Sequence, residues 1–397
     1  MKDFSFNRKE VKSRHGVGVY NSLSDFYSLY KGALPEWIAS LFDKVSGGFY
    51  FSPSARDTDG FDPDIESTGQ ALGVIGDLGL TETPESYPEP LRTKAATFLR
   101  ELQDEDGFFY HPRWGKNINT SRRARDLASA KLFIEMLGFK LKYPSAIEQM
   151  ERARENDGKS EVIPEHLRSK ERFISYLDGL GINNNSYSAG QIIAMQAPQI
   201  KAVGLADVCI DYLNIHQKEN GIWEDELNYA SANGMLKICH AYNALGRDLP
   251  RLCSVARATV DTVLNNAAPS AIVDVFNPLM SIHYLRNIVS ATGNSNRISE
   301  LEAVLSENAV SIINITRDKL SGFLQPDGSF SYYPRGYKYG EFQWSQGKEV
   351  APGVDEGNMN ATQLAKASQL LLVNALGIDA GLPYTPADGI EYFRLFC

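Results

Sequence analysis

The sequence predicts an all-α protein: an (α/α)6 toroid, a double ring of helical hairpins with small β-hairpins in its mouth loops. Three observations carry that expectation. A short hairpin pattern recurs along the chain, six pairs of apolar-periodic segments follow one another, and no segment sustains the period-two alternation of a sheet. The 397 residues suit one closed architecture better than separate domains. We read 1–25 as an N-terminal segment, 26–385 as the toroid and 386–397 as a C-terminal tail.

The repeat is an aromatic-Leu pair, three residues, Gln, three residues, Gly, one residue and an aromatic. It runs from Phe98-Leu99 through Gln103 and Gly107 to Phe109, and from Tyr212-Leu213 through Gln217 and Gly221 to Trp223. A degenerate copy is Phe323-Leu324-Gln325-Pro326-Asp327-Gly328-Ser329-Phe330, and Gly47-Gly48-Phe49 keeps only the end. Outer helices are expected near 26–45, 90–103, 165–180, 205–218, 250–265 and 298–319. Their charged faces, as at Arg92, Lys94 and Arg100, mark them as amphipathic surface helices. Inner partners are expected near 65–79, 120–138, 186–203, 229–246, 272–291 and 359–377. These are rich in small residues, such as Gly69, Ala71 and Gly73, or Ala230, Ala232 and Gly234. Small side chains allow close packing in an inner ring. Several end on Leu-Gly, as at Leu78-Gly79 and Leu245-Gly246, which is the expected left-handed stop.

These residues carry a resemblance. The Phe/Tyr-Leu-x3-Gln-x3-Gly-x-aromatic pattern resembles the repeat of squalene cyclases, shared in weaker form by other terpenoid cyclases and by protein prenyltransferase β subunits. In layout the six hairpins also resemble the carbohydrate-active toroids, both glycoside hydrolases and polysaccharide lyases. The resemblance implies a toroid; it does not choose an activity.

Charge narrows the partners. Lys and Arg number 40 against 49 Asp and Glu, a net charge of −9, with no basic block to follow a phosphate backbone, so nucleic acid is not expected. No apolar run reaches the roughly 20 residues of a membrane span. Met1-Lys2-Asp3-Phe4-Ser5 lacks a signal-peptide pattern, which implies a cytoplasmic protein if Met1 is the native start. Cys209, Cys239, Cys253 and Cys397 have no CxxC spacing and read as structural thiols. With no HExxH, P-loop or GxGxxG in a fitting context, no metal or cofactor is expected.

The connections from outer to inner helices are long and hold most of the chemistry. Asp64 and Glu66 lead into the first inner helix, Asp355 and Glu356 into the sixth. Ring closure makes those units neighbours, so the four form the expected catalytic set, although helix capping explains each one singly. Two carboxyl groups, one an acid and one a base or nucleophile, are what glycosidic cleavage requires. Tyr110, Trp114, Trp223, Tyr333, Tyr337 and Trp344 are candidates for stacking on sugar rings, Trp223 the weakest because its place in the repeat is that of a structural hairpin anchor. Arg113 and Arg335 are candidates for gripping a uronate or sulfate. His111, Arg123, Tyr187 and Tyr229 complete the expected substrate-binding set, while Asn119, Asn185, Asn228, Asn233 and Asn360 at inner-helix starts would make the cavity wet.

The leading expectation is therefore an oligosaccharide-cleaving enzyme, a glycoside hydrolase, with a lyase using Tyr110, His111 or Tyr333 as its variant. A proton-initiated terpenoid cyclase is the alternative. Asp64-Ile65-Glu66-Ser67-Thr68-Gly69 resembles that family's Asp-x-Asp-Asp-Thr-Ala, with Glu66 in the place of the protonating Asp and departures at Ser67 and Gly69. A third possibility is a toroid that binds a glycan or peptide without turning it over.

Overall fold

The computed structural model describes residues 8–83, 86–149, 152, 164–379 and 381–396. Residues 1–7, most of the charged excursion at 150–163, and Cys397 lie outside that set. The chain runs through α1 (Arg8–Tyr27), α2 (Leu34–Ser40), the single turn α3 (Pro53–Arg56), α4 (Ile65–Asp77), α5 (Glu89–Glu101) and α6 (Thr120–Met136). It continues through α7 (Lys170–Leu180), α8 (Ser186–Ala202), α9 (Ala206–His216), α10 (Tyr229–Leu245), α11 (Leu252–Leu264) and α12 (Val273–Thr292). Then come α13 (Ser295–Glu307), α14 (Ala309–Ser321), the strands β1 (Phe342–Ser345) and β2 (Lys348–Pro352), α15 (Met359–Ala375) and α16 (Pro386–Tyr392). The protein is mostly helical. Among the described residues its only sheet is the antiparallel β1–β2 hairpin, which has a bulge between Gln343 and Trp344.

Helices α4, α6, α8, α10, α12 and α15 are the six expected inner partners, each starting within a residue of its expected position. Capping chemistry explains the precision at five of them. Asp64, Asn119, Asn185, Asn228 and Asn358 each accept a hydrogen bond from the backbone N–H three residues on. Asn119, Asn185 and Asn228 are thus spent on caps rather than left to line a cavity. The inner helices pack in the order α6–α4–α15–α12–α10–α8, so the first and last hairpins are neighbours through α4 and α15.

Small residues set the spacing. A Cβ on Gly234 would stand 1.6 Å from Ser186 Oγ, and one on Gly190 would stand 2.8 Å from the Ile238 nitrogen, which draws α8 against α10. No helix among the described residues is long and apolar enough to cross a membrane.

The repeat turns out to be a docking device. Gly107, Gly221 and Gly328 adopt φ of 79°, 90° and 84°, and a Cβ on any of them would strike backbone: Ala146, Val255 and Leu34 respectively. Each turn therefore sits on the next segment, and Gly328 of the last hairpin sits on α2 of the first. The repeat glutamines brace these turns: Gln103 exchanges two hydrogen bonds with the Tyr143 backbone of the next segment, and Gln217 Nε2 donates to the Gly221 carbonyl within its own turn.

Two outer-layer expectations need correction. The helix expected at 26–45 is broken by a 3-10 turn and by Gly32 at φ 96°, leaving the short α2. The helix expected at 298–319 is two helices meeting at Asn308, whose side chain bonds the Val304 carbonyl. The segment 1–25 is helical from Arg8 and packs on α14, burying Val11, Val19 and Leu23.

Candidate functional site

The long connection from α14 to α15 and the start of α15 line a cavity of about 390 Å³. Its wall carries Tyr332, Tyr333, Tyr337, Tyr339, Phe342 and Trp344, interleaved with Gln343, Ser345, Gln346, Asn358 and Asn360. Tyr337 lies parallel to Tyr333 with ring centroids 4.1 Å apart, and Tyr339 stands edge-on to both. Trp344 is 61% exposed at the rim. Aromatic faces alternating with amides and hydroxyls suit a ligand that has both apolar faces and hydroxyl edges. The expected Tyr333, Tyr337 and Trp344 all belong to this wall.

A more open groove of about 420 Å³ adjoins it, lined by Glu66, Gly69, Gln70, Gly73, Arg125, Ser129 and Gln363 among others. Two bonds stitch the spaces together. Gln70 Nε2 in the groove donates to Asn360 Oδ1 in the cavity at 3.1 Å, and Ser345 Oγ donates to Glu66 Oε2 at 3.0 Å. Glu66 is only 7% exposed, yet it stands where the two spaces meet.

Behind Glu66 lies a buried charge network. The Arg122 guanidinium, fully buried, reaches Asp64 at 3.4 Å, Glu66 at 3.3 Å and Asp126 at 3.0 Å, and it lies over the Trp114 ring. Arg125 holds the other Glu66 oxygen at 2.5 Å. Burial pushes the Asp126 carboxyl up to about 7, only partly offset by Arg122, and its Oδ1 has no partner among the described residues. Neither Arg122 nor Arg125 was among the expected site residues. Their signal was available: Arg122, Arg125 and Asp126 are charges on a helix otherwise marked as internal by Ala124, Ala128 and Ala130.

The other three carboxylates play different parts. Asp64 caps α4, accepting from the Ser67 N–H at 3.0 Å and from its hydroxyl. Asp355 is exposed and fastens the loop, accepting from Gly336 N at 2.6 Å and Gln325 Nε2 at 3.3 Å. Glu356 is half-buried. It accepts from the Ser54 N–H and hydroxyl, and from Gln343 Nε2 at 3.1 Å. Burial raises its pKa against the lowering effect of those donors.

Several expected ligand contacts are structural instead. Trp223 is buried, its indole N–H donating to the Leu213 carbonyl at 2.9 Å, which makes it the anchor of its hairpin. His111 is 2% exposed; Nδ1 accepts from the Arg113 N–H and Nε2 donates to the Pro63 carbonyl at 3.2 Å. Burial lowers its pKa, so it is a neutral support stacked on Trp114 rather than an open base. Trp114 itself packs beside Phe51, Ala55 and Val350 under the β-hairpin. Arg113 is consumed by the Gly60 carbonyl, Glu349 and the face of Phe61.

Tyr110 donates to Asp106 in its own loop, Tyr229 to the Ala267 carbonyl, and Arg123 lies over Phe108. Arg335 is exposed outside the cavity wall. Tyr187, at the start of α8, is 46% exposed. No protein-family model matches the chain, and a search of curated proteins finds no significant match.

Proposed function

We propose that the protein binds an oligosaccharide in the aromatic cavity and cleaves a glycosidic bond beside it, on a closed (α/α)6 toroid. The observation that carries this reading is the position of Glu66, a nearly buried carboxylate at the junction of an aromatic, amide-lined cavity and an open groove. Sugar rings stack on tyrosine and tryptophan faces, and their hydroxyls bond to Gln and Asn side chains. The same lining is too polar to shelter a bare carbocation, which turns us from the terpenoid alternative. Docking of Gly328 on Leu34 and the α4–α15 contact support ring closure.

In this reading Glu66 is the carboxylate partner, oriented by Arg122, Arg125 and Ser345. In the same reading Glu356, bonded to Gln343 of the cavity wall, is the proton donor; burial raises its pKa and the Ser54 and Gln343 donors oppose that rise. Asp64 and Asp355 position backbone. Removing an acid or base costs on the order of 10²–10⁴ in rate. Release of reducing ends from a glycan panel should therefore fall by that factor in Glu66→Gln and in Glu356→Gln, and by less than about threefold in Asp355→Asn. If both glutamine variants keep wild-type turnover on a cleaved glycan, these roles are wrong. If no glycan is cleaved but one binds, the cavity serves recognition alone.

A further inference from the structure

We propose that the open groove beside Glu66 is a subsite for an apolar aglycone, so that the substrate class is a glycoside carrying a hydrocarbon chain. That the chain is joined to a sugar rests on the functional reading above; the affinity of the groove for hydrocarbon does not.

The groove and the aromatic cavity adjoin but differ in chemistry. The Gln70–Asn360 and Ser345–Glu66 hydrogen bonds, at 3.1 and 3.0 Å, join their walls. The cavity wall exposes more polar than apolar surface, and the groove wall the reverse. A ligand that crosses Glu66 therefore passes from a surface suited to hydroxyls to one suited to hydrocarbon.

Helices α4 and α6 give the groove its shape. Its wall on α4 runs from Glu66 to Asp77, a length of about 16 Å at 1.5 Å per residue, which is room for an extended chain. At Gly69 the two helices touch, because a Cβ there would meet Ser129 Oγ at 2.5 Å and the Phe133 ring at 2.8 Å. One turn further on, a Cβ on Gly73 would find only Phe133 Cζ within 4 Å among the described residues, at 3.8 Å. The missing side chain leaves a trough beside the Phe133 ring. Leu132, next to Phe133 in the same wall, is 52% exposed although α6 is an inner helix.

The polar groups that border the groove already have partners or are drawn out of water. Gln70 Nε2 donates to Asn360 and, at 3.4 Å, to Glu66. Arg125 pairs with Glu66, so the near end is balanced in charge. At the far end burial raises the Asp77 pKa, with the Lys366 charge opposing. A neutral chain disturbs none of these groups and covers Leu132 and Phe133.

The test has two arms on the intact protein. Titration with the neutral fluorophore N-phenyl-1-naphthylamine should show saturable binding in wild type that weakens at least about tenfold in Gly73→Leu, whose added side chain fills the trough. Leu132→Asn, at a half-exposed position, is read the same way if Gly73→Leu does not fold. No binding by wild type, or equal affinity in the folded variant, overturns the inference.

The second arm displaces the fluorophore with methyl, butyl and octyl glycosides of several sugars, and with 1-octanol. Affinity that rises by up to about fourfold per methylene, and loses that rise in Gly73→Leu, supports the inference when an octyl glycoside also outcompetes 1-octanol. Displacement by glycosides that ignores chain length overturns the inference while leaving the glycan reading standing. Octyl glycosides that bind no better than 1-octanol, both through the trough, keep the hydrocarbon site and remove the glycan reading.

Discussion

Arg122 decides the local electrostatics of the site. Three carboxylates surround one buried guanidinium, so its removal strands charges that burial cannot tolerate. Breaking a buried pair costs about 3–5 kcal/mol, and we expect Arg122→Met to lose that much in urea denaturation. Lys366 makes the opposite kind of statement. It is fully buried in α15, donates to Gln369 Oε1 at 2.5 Å, lies near the Tyr30 ring and faces Asp77 of α4. Burial lowers its pKa from 10.5 to about 7, with Asp77 opposing. Between those values the unfolded chain holds a proton that the folded protein lacks, so this group makes stability rise with pH from about 7 toward 10.5, and lowest below 7. Lys366→Met should flatten the slope of unfolding free energy between pH 7 and 10; an unchanged slope would mean that Lys366 stays charged in the fold.

Turns and caps, more than helix propensity, place the elements. Five inner helices begin at an Asp or Asn whose side chain satisfies a free N–H, and Asn228 forms a full capping box with Ser231. The glycine turns are exacting for a second reason, because they combine positive φ with close backbone approach. Gly328 and Gly60 test the two effects separately. Both have φ near 85°, but a Cβ on Gly328 would lie 2.8 Å from Leu34 N, whereas Gly60 faces open space. A left-handed non-glycine residue costs about 1–3 kcal/mol. Gly60→Ala should cost no more than that, and Gly328→Ala measurably more, as read by paired thermal melts. Equal losses would show that the turn does not dock on α2.

At the scale of the molecule, the two chain ends pack on the first and last hairpins. The tail packs Phe396 against Phe42 and Phe49 of the first hairpin and Phe393 against Tyr87 just before α5, with ring centroids 5.2–6.1 Å apart. The N-terminal α1 covers α14 of the last hairpin. The ends therefore cover the joint at which the first and last units meet. Truncating a buried Phe costs about 3–5 kcal/mol. Phe396→Ala should lose that much in denaturant titration with the transition still single. An independent early transition would show the first hairpin to be a separate unit.

Much of this was legible in the residues alone. The six inner helices, the Gly turns and the polar starts of α4 and α15 follow from local chemistry: periodicity, capping side chains and glycine's access to positive φ. The aromatic wall was also visible, because Tyr333, Tyr337 and Trp344 occur without helical spacing in one long connection. The split outer helices were not, since Asn308 and Gly32 interrupt patterns that remain amphipathic on both sides.

Tertiary structure alone decided which polar residues stay available. The repeat marks Trp223 as a hairpin anchor, but nothing local distinguishes Arg113, held by Gly60 and Glu349, from Arg125 beside Glu66. A side chain's chemistry is local, but its partners come from segments far along the chain, and a group already satisfied by the fold has little left for a ligand.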